Sequence, residues 1–466
     1  MTKVGLSKEV ITPPRGVTLV GYFNPRPNTG ILDDLYVRVM LFEKNGIVSG
    51  IVVYDLCFLS AELVAEFKVA LKHSGLGFVD NLMFSATHTH TGPFVAKFFG
   101  HEPSSKYLSE LVDKTVIAVN NAFLSLSPAK FKLGSVNNNP YAFNRRYWMK
   151  NGSVLTNPGK LNPNIKTPEG DVNQEIGIMT VEQDGRTSAV ITHISNHTDT
   201  IGGNFVSADW PGRMERYIQN EAGYDLPVFA LIDCQGNINH FDVSSDEAQG
   251  GFEEACRIGH GYGKIVFDAL KALKDFAPSA ITASLREITI PFRNITSEEV
   301  SGAEAILAKP VAAGQGGDMT SEGLATGDGP VARFFAEQML EYKQNCSGKQ
   351  RDFELISLKF DDTLAITSLP GEAFMEIGQA IRAGSPFKNT WPVVLAMGEC
   401  GYIPLEECFS RGGYEVLPVE GGSPRQDTDK LLIRESVTNL KTLKFHYYPN
   451  CLLLLINSRL CGRLLV

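Results

Sequence analysis

The sequence predicts an α/β fold, a mixed sheet covered by helices within a single large catalytic domain, and two alternating patterns carry that expectation. Short apolar runs recur at 36–42, 48–54, 81–85, 176–182, 189–194, 228–232, 353–360, 364–368 and 393–396, each of strand length. Between them lie longer stretches whose apolar residues return every third or fourth position, as on a helix with one buried face. Strands alternating with helices favour a mixed or parallel sheet with helical cover, and such folds gather their sites where strands end.

Taken in order, the stretch 61–73 sets Leu63, Phe67 and Leu71 at i, i+4 and i+8. The stretch 105–124 lines up Leu108, Leu111, Val112, Thr115 and Val119 on one stripe. Further helices are predicted at 211–221, 253–274, 330–343, 372–383 and 427–443. Pro211 suits a first helical turn, and a helix opening at Glu372 would favour a carboxylate there. Residues 137–167 are rich in Asn, Pro and Gly and carry Arg145, Arg146, Tyr147 and Trp148, whereas 312–330 is rich in Gly. Both read as long loops, which on a rigid α/β scaffold commonly serve function. With no internal repeat and no clean linker, one domain over 1–443 is expected, followed by a tail, 444–466, of unclear status.

Composition narrows the function classes. The chain has 466 residues, 43% hydrophobic and 20% charged, with a net charge of −9 and no long basic block. That balance argues against a nucleic-acid partner and fits a protein with a large core. Eight cysteines without a CxxC spacing read as free thiols. The densest apolar run, 452–456, falls far short of the ~18 residues of a membrane span, so no transmembrane segment is expected. Residues 1–5 run into domain-like sequence without an apolar signal stretch, and a cytoplasmic location is expected.

The chemistry concentrates at strand exits. Thr87-His88-Thr89-His90-Thr91-Gly92-Pro93 follows the apolar run Leu82-Met83-Phe84. Neutral imidazole suits zinc, yet side chains alternate along a strand, so a regular His-x-His cannot aim both rings at one ion. Either the chain kinks at Thr89, or one ring ligates while the other works differently; two polar histidines on a surface loop are the plain alternative. His197 follows the run 189–194 in the same manner, whereas His193 lies mid-strand and reads as a core residue. Glu372 follows 364–368, and Tyr402 follows 393–396; alone, a helix-start acid and a packed tyrosine account for them.

In combination these segments resemble the amidase domain of the neutral, non-lysosomal ceramidase family. The similarity runs from Gly5 through Thr12-Pro13 to Gly21-Tyr22, then Val52-Val53-Tyr54-Asp55, then Thr87 to Pro93, the most specific motif. Asn144-Arg145, His197, Ser207-Ala208-Asp209, Pro370-Gly371-Glu372, Tyr402 and Tyr414-Glu415 follow in the family's order, so the resemblance spans roughly 3 to 443. It implies one Zn²⁺ held by His88, His197, Glu372 and Tyr402, and a water made nucleophilic at neutral pH for attack on an amide carbonyl. It also implies His90 as proton shuttle, and Arg145 and Tyr414 as oxyanion or head-group partners; Asp55 and Asp209 would orient ligands. The loops 137–167 and 312–330 are expected to border the same cleft. The implied substrate is a lipid or small molecule with an N-acyl group, ceramide being the named candidate.

Two departures qualify this. Where ceramidases carry Gly-Asp-Val-Ser-Pro-Asn, this chain reads Gly236-Asn237-Ile238-Asn239-His240-Phe241, and the family's C-terminal β-sandwich is not expected here. Loss of the serine and proline favours a smaller N-acyl compound over ceramide. A zinc hydrolase for another amide or ester, such as an acylated sugar, and a binding protein without turnover stay open beside the ceramidase-like reading.

Overall fold

Three large sheets organise the computed structural model, which describes residues 1–22, 26–310, 329–419 and 421–445. The first comprises β1 (Lys3–Val10), β2 (Tyr36–Lys44), β3 (Ile47–Tyr54) and, after α1 (Ala61–His73), β4 (Leu82–Ala86). β1, β2 and β3 pair antiparallel, and β3 and β4 run parallel. Asn45 and Gly46 join β2 to β3 with φ of 55° and 80°, the Asn-Gly turn whose twist matches a tight hairpin. Ser60 caps α1 by accepting from the Leu63 N–H at 3.1 Å. α2 (Ser105–Leu124) packs across β1 and β2.

The second sheet orders β8-β7-β6-β5-β9 from β5 (Lys130–Asn137), β6 (Glu175–Gln183), β7 (Arg186–Ile194), β8 (Val228–Ile232) and β9 (Lys274–Phe276). Asp184-Gly185 makes its hairpin turn, and α3 (Asp209–Ala222) carries the chain from β7 to the parallel β8. α4 (Phe252–Ala269) lies against α3. The third sheet orders β10-β11-β12-β13 from β10 (Ile281–Pro291), β11 (Gln350–Phe360), β12 (Leu364–Ser368) and β13 (Asn389–Val393). α5 (Ser297–Leu307) and α6 (Gly329–Asn345) pack together, α7 (Met375–Gly384) joins β12 to the parallel β13, and α8 (Thr428–Phe445) covers β10 and β11.

The predicted α/β class therefore holds, and the fold contains a regularity that the residues conceal. Each sheet repeats one unit: an antiparallel hairpin, a crossover helix, then a parallel strand. β2-β3-α1-β4, β6-β7-α3-β8 and β11-β12-α7-β13 are its three copies. The sequence shows no internal repeat, because only the burial pattern recurs and different apolar residues satisfy it equally.

Phe42 of β2, Phe131 of β5 and Phe360 of β11 meet where the three sheets join. Phe42 lies 5.0 Å from Phe360, edge to face, and 6.2 Å from Phe131, tilted, between ring centroids; aromatic quadrupoles favour the edge-to-face arrangement. By register Phe42 stands opposite Ser49, Phe131 opposite Val181 and Phe360 opposite Leu364. All three mark the end where β3, β7 and β12 begin. The exits of those strands share the other end, where residues 394–397 tie the sheets together. There the Val394 N–H donates to Ile232 O at 3.0 Å, and the Ala86 N–H donates to Leu395 O at 3.1 Å.

Several predicted boundaries shift. The helix expected over 253–274 stops at Ala269, followed by a 3₁₀ turn at Leu270–Ala272 and then β9. The helix expected over 372–383 begins only at Met375; Glu372–Ala373 instead forms a short strand parallel to Tyr402–Ile403. The strand expected at 393–396 is Asn389–Val393, with 394–397 as its irregular continuation. Within 137–167 the chain is not plain loop: Arg146–Met149 pairs with Val154–Thr156 and Ile165–Pro168. Of the stretch 312–330, residues up to 328 lie outside the described residues, as do 446–466 of the tail.

Candidate active site

His88 stands two residues beyond β4 with φ of 70°, a left-handed conformation that costs a non-glycine residue of order 1–3 kcal/mol and survives only where the surroundings enforce it. Here the Cys57 carbonyl accepts from His88 Nδ1 at 2.8 Å. The turn breaks strand alternation one residue before Thr89, so the rings of His88 and His90 converge, with 3.2 Å between their Nε2 atoms. His197, beyond β7, places its Nδ1 2.5 Å from Gln235 Oε1. Both acceptors require a proton on Nδ1, which leaves each Nε2 as a bare lone pair. Those two nitrogens lie 3.1 Å apart.

Glu372 completes the convergence. Its Oε2 lies 3.3 Å from His88 Nε2 and 3.9 Å from His197 Nε2, and it is buried without a hydrogen-bond partner. Lone pairs and carboxylate charge facing one another without donors repel unless a cation sits among them. A second proton on His88 is one way to supply that positive charge. Burial disfavours it, but Glu372 and Cys57 outweigh burial and hold His88 well above the ordinary imidazole range. Glu372 in turn is held at about 2: burial opposes its charge, and His88 overcomes it. The donor set, two imidazoles and a carboxylate within 4.8 Å of one another, suits Zn²⁺. Cys57, His88 and His90 form a second such group, but the His88 nitrogen nearest the thiol is already donated to the Cys57 carbonyl.

Tyr402 is the register partner of Glu372, and its hydroxyl accepts from the Tyr414 hydroxyl at 2.5 Å. The Arg145 guanidinium lies over both rings, 4.8 Å from that of Tyr402 and 4.9 Å from that of Tyr414. Arg145 donates from Nε to Glu415 Oε1 at 2.9 Å, while its Nη2 is buried without a partner. Burial opposes the guanidinium charge, but Tyr402, Tyr414 and Glu415 overcome it. Glu415 also binds Arg146 Nη1 at 2.6 Å and Thr156 Oγ1 at 2.8 Å, so the Arg145 segment is locked to the Tyr414 segment. His90 is driven well below the ordinary range, first by burial and then by repulsion from His88. Both influences keep the ring neutral.

All seven residues singled out, His88, His90, Arg145, His197, Glu372, Tyr402 and Tyr414, thus come together at the strand exits. Asp55 and Asp209 do not orient the imidazoles. Asp55 accepts from the Tyr36 N–H at 2.9 Å and Arg38 Nη1 at 2.8 Å, and Asp209 caps the Ile201 and Trp210 N–H groups. Asp55 reaches the motif only through the Thr87 hydroxyl at 3.4 Å. The orienting acceptors are the Cys57 carbonyl, which no side-chain pattern can announce, and Gln235, which adjoins the Gly236 segment where the family pattern is altered. Glu399, which no motif marks, is also here: burial and then Glu372 push its carboxyl up to about 8.

Asn239 and His240 turn away into their own contacts. Asn239 donates to Asn157 Oδ1 at 2.7 Å, and His240 Nδ1 faces Asp199 Oδ1 at 3.2 Å. An apolar slot of about 60 Å³ opens beside Glu372, Tyr402 and Tyr414, walled by Phe98, Phe409, Val416, Leu417 and Pro424.

Comparison with solved structures is decisive for the scaffold. The chain superposes over 95% of its length on a neutral ceramidase from Pseudomonas aeruginosa, with a TM-score of 0.69 and 17% identity, covering 74% of that chain. The fold is ceramidase-like. A second structure, a ceramidase complexed with C2, gives a TM-score of 0.71 at 17% identity over 95% of this chain and 75% of that one. No protein-family model and no curated protein matches the chain. Among the described residues of this ceramidase-like fold, no helix is long and apolar enough to cross a membrane, and Cys57, Cys234, Cys256, Cys346, Cys400 and Cys408 are free.

Proposed function

We propose that the protein is a zinc-dependent hydrolase that cleaves the amide bond of an N-acylated substrate, with His88, His197, Glu372 and Tyr402 holding one Zn²⁺. The observation that carries this reading is the meeting of two Nε2 lone pairs and an unpaired carboxylate oxygen, each backed by an acceptor or a strand pairing that fixes it. Zinc in such a setting supplies Lewis acidity, lowering the pKa of water from 15.7 towards ~7. His90, neutral and alongside His88, receives the proton of the attacking water and returns it to the leaving amine. Arg145 turns its unpartnered Nη2 to the developing oxyanion, while Tyr414 spends its one hydroxyl proton on Tyr402 and steadies that oxygen. Stacking on two tyrosines and the ion pair to Glu415 preset that guanidinium, so little reorganisation is needed in the transition state.

The slot beside Tyr402 receives the acyl group. At about 60 Å³ it is far below the ~300–1,000 Å³ of sites for drug-sized ligands, which favours a short acyl chain and weak action on ceramide. Metal analysis of the purified protein, beside a hydrolysis screen over ceramide, N-acyl amino acids and N-acyl sugars, tests the reading. One zinc per chain with cleavage of a short N-acyl compound is expected. Zinc without any hydrolysis would leave a binding protein on the same scaffold, and no zinc at all would remove the mechanism.

A further inference from the structure

The apolar slot beside Tyr402 does not end on solid packing. Phe98, Glu399, Gly401 and Gly422 line it and also line a second cavity, roughly threefold larger at about 190 Å³ against 60 Å³. Phe58 is buried at the base of this second chamber, and Lys97 and Arg351 stand part-exposed at its mouth. The proposed reaction makes no use of that chamber. Only four residues part the two spaces, and they differ in what they can yield.

Two of the four are glycines whose backbones press on each other. A Cβ at Gly401 would lie 2.2 Å from Gly422 O, so that part of the wall has no side chain to withdraw. Glu399 is pinned, because its Oε1 accepts from the Gly401 N–H at 2.5 Å. Phe98 alone brings a large apolar side chain to the wall. Its backbone is fixed by a two-way pairing with His101: the Phe98 N–H donates to His101 O at 3.1 Å, and the His101 N–H donates to Phe98 O at 3.0 Å. Its ring leans on Phe58 at 5.4 Å and on Phe99 at 3.9 Å between centroids. The segment is a direct continuation of the one carrying His88 and His90, which sets the ring in register with the proposed zinc ligands.

Resting on the hydrolase reading above, we propose that Phe98 is the specificity-determining residue for acyl-chain length, its ring closing the slot against the chamber behind it and so restricting the substrate to short N-acyl compounds, acetyl to butanoyl. A chain stopped by the ring gains nothing from added carbons. A chain that passes into a new apolar space gains about fourfold in affinity for each methylene it buries. Trimming this one ring joins the two cavities, so the length limit belongs to Phe98 and not to the slot as a whole.

The test is calorimetric binding of straight-chain alkanohydroxamates, acetyl to octanoyl, to the zinc-loaded protein. The hydroxamate seats on the metal and leaves the alkyl group to probe the slot. In wild type, affinity is expected to stop rising after butanoyl and to fall by octanoyl. In Phe98→Ala the ratio of octanoyl to acetyl affinity should rise at least about tenfold, the worth of two or more methylenes newly buried. Phe98→Leu, which keeps an apolar side chain on the segment, should move the limit part-way and serves should the alanine variant not fold. The same length profile in all three proteins, an equal change at every length, or a wild type whose affinity climbs through octanoyl overturns the proposal, and absence of binding at any length overturns both readings. Because binding is read without turnover, a limit that moves with Phe98 in a protein that cleaves no N-acyl compound sinks the hydrolase reading alone. Cleavage with a limit that does not move sinks this one alone.

Discussion

His88, His90, Gln235 and Glu415 divide the work of the site by what each touches. His90 shares the cluster but is set by burial and like charge to remain neutral. His90→Ala is therefore expected to keep its zinc while losing turnover by ~10²–10⁴-fold; metal analysis beside the rate decides it, and loss of both would make His90 a ligand. Gln235 accepts from His197 Nδ1, so Gln235→Ala should weaken zinc affinity by ~10–100-fold, the usual cost of losing an orienting partner, as read by competition with a chromogenic chelator.

Glu415 is the residue on which two arginines depend. Burial opposes its charge, but Arg146 and then Arg145 hold its pKa below the ordinary value. A depressed carboxylate contributes stability that is complete above the unfolded pKa, about 4.3, and is lost as pH falls through that value towards the folded one. Glu415→Gln should cost roughly 3–5 kcal/mol at pH 7, since it strands buried guanidinium charge. The gap from wild type in urea unfolding should narrow on going from pH 7 to pH 4. At this scale the clustered histidines and Glu372 were legible, because they sit in motifs at strand exits. Cys57 was not, because its contribution is a carbonyl and every residue has one.

Among the elements, strands with dense apolar runs could be read directly, whereas β1, β5 and β10, whose polar residues interrupt the pattern, were not among the predicted strands. The Glu372 segment could not be read directly either. Its sequence suits a helix start, yet Glu372–Ala373 pairs with Tyr402–Ile403, far along the chain. Non-local pairing overrides local propensity there. The segment is also clamped from its other side by Gly236, whose N–H donates to Ala373 O at 2.9 Å. A Cβ at Gly236 would lie 2.3 Å from Glu372 O and 3.0 Å from a Phe374 ring carbon. Gly236→Ala should thus displace the ligand strand, costing ~1–3 kcal/mol by overpacking and lowering zinc affinity more than Gly→Ala changes at open turns such as Gly152 do. Thermal melting with and without zinc separates the two effects.

Across the whole molecule, the aromatic junction of Phe42, Phe131 and Phe360 holds one end of the three sheets, and the proposed zinc ligands stand at the other. Zinc that binds the native state and not the unfolded chain stabilises it by RT ln(1 + [L]/Kd), ~2.7 kcal/mol at a hundredfold excess over Kd. Calorimetry with zinc and with chelator should show that gain, and it should vanish in His88→Ala.

The threefold recurrence of hairpin, crossover helix and parallel strand also has a bearing on time. His88 follows the first unit, His197 belongs to the second and Glu372 to the third, so no single unit, however well formed, owns a complete binding site. Contacts between such distant stretches of chain form late, because loop closure must precede them. Refolding in the presence of a zinc-sensitive dye should accordingly show backbone signals recovering first and metal uptake lagging behind them, with the ion as the last part to arrive.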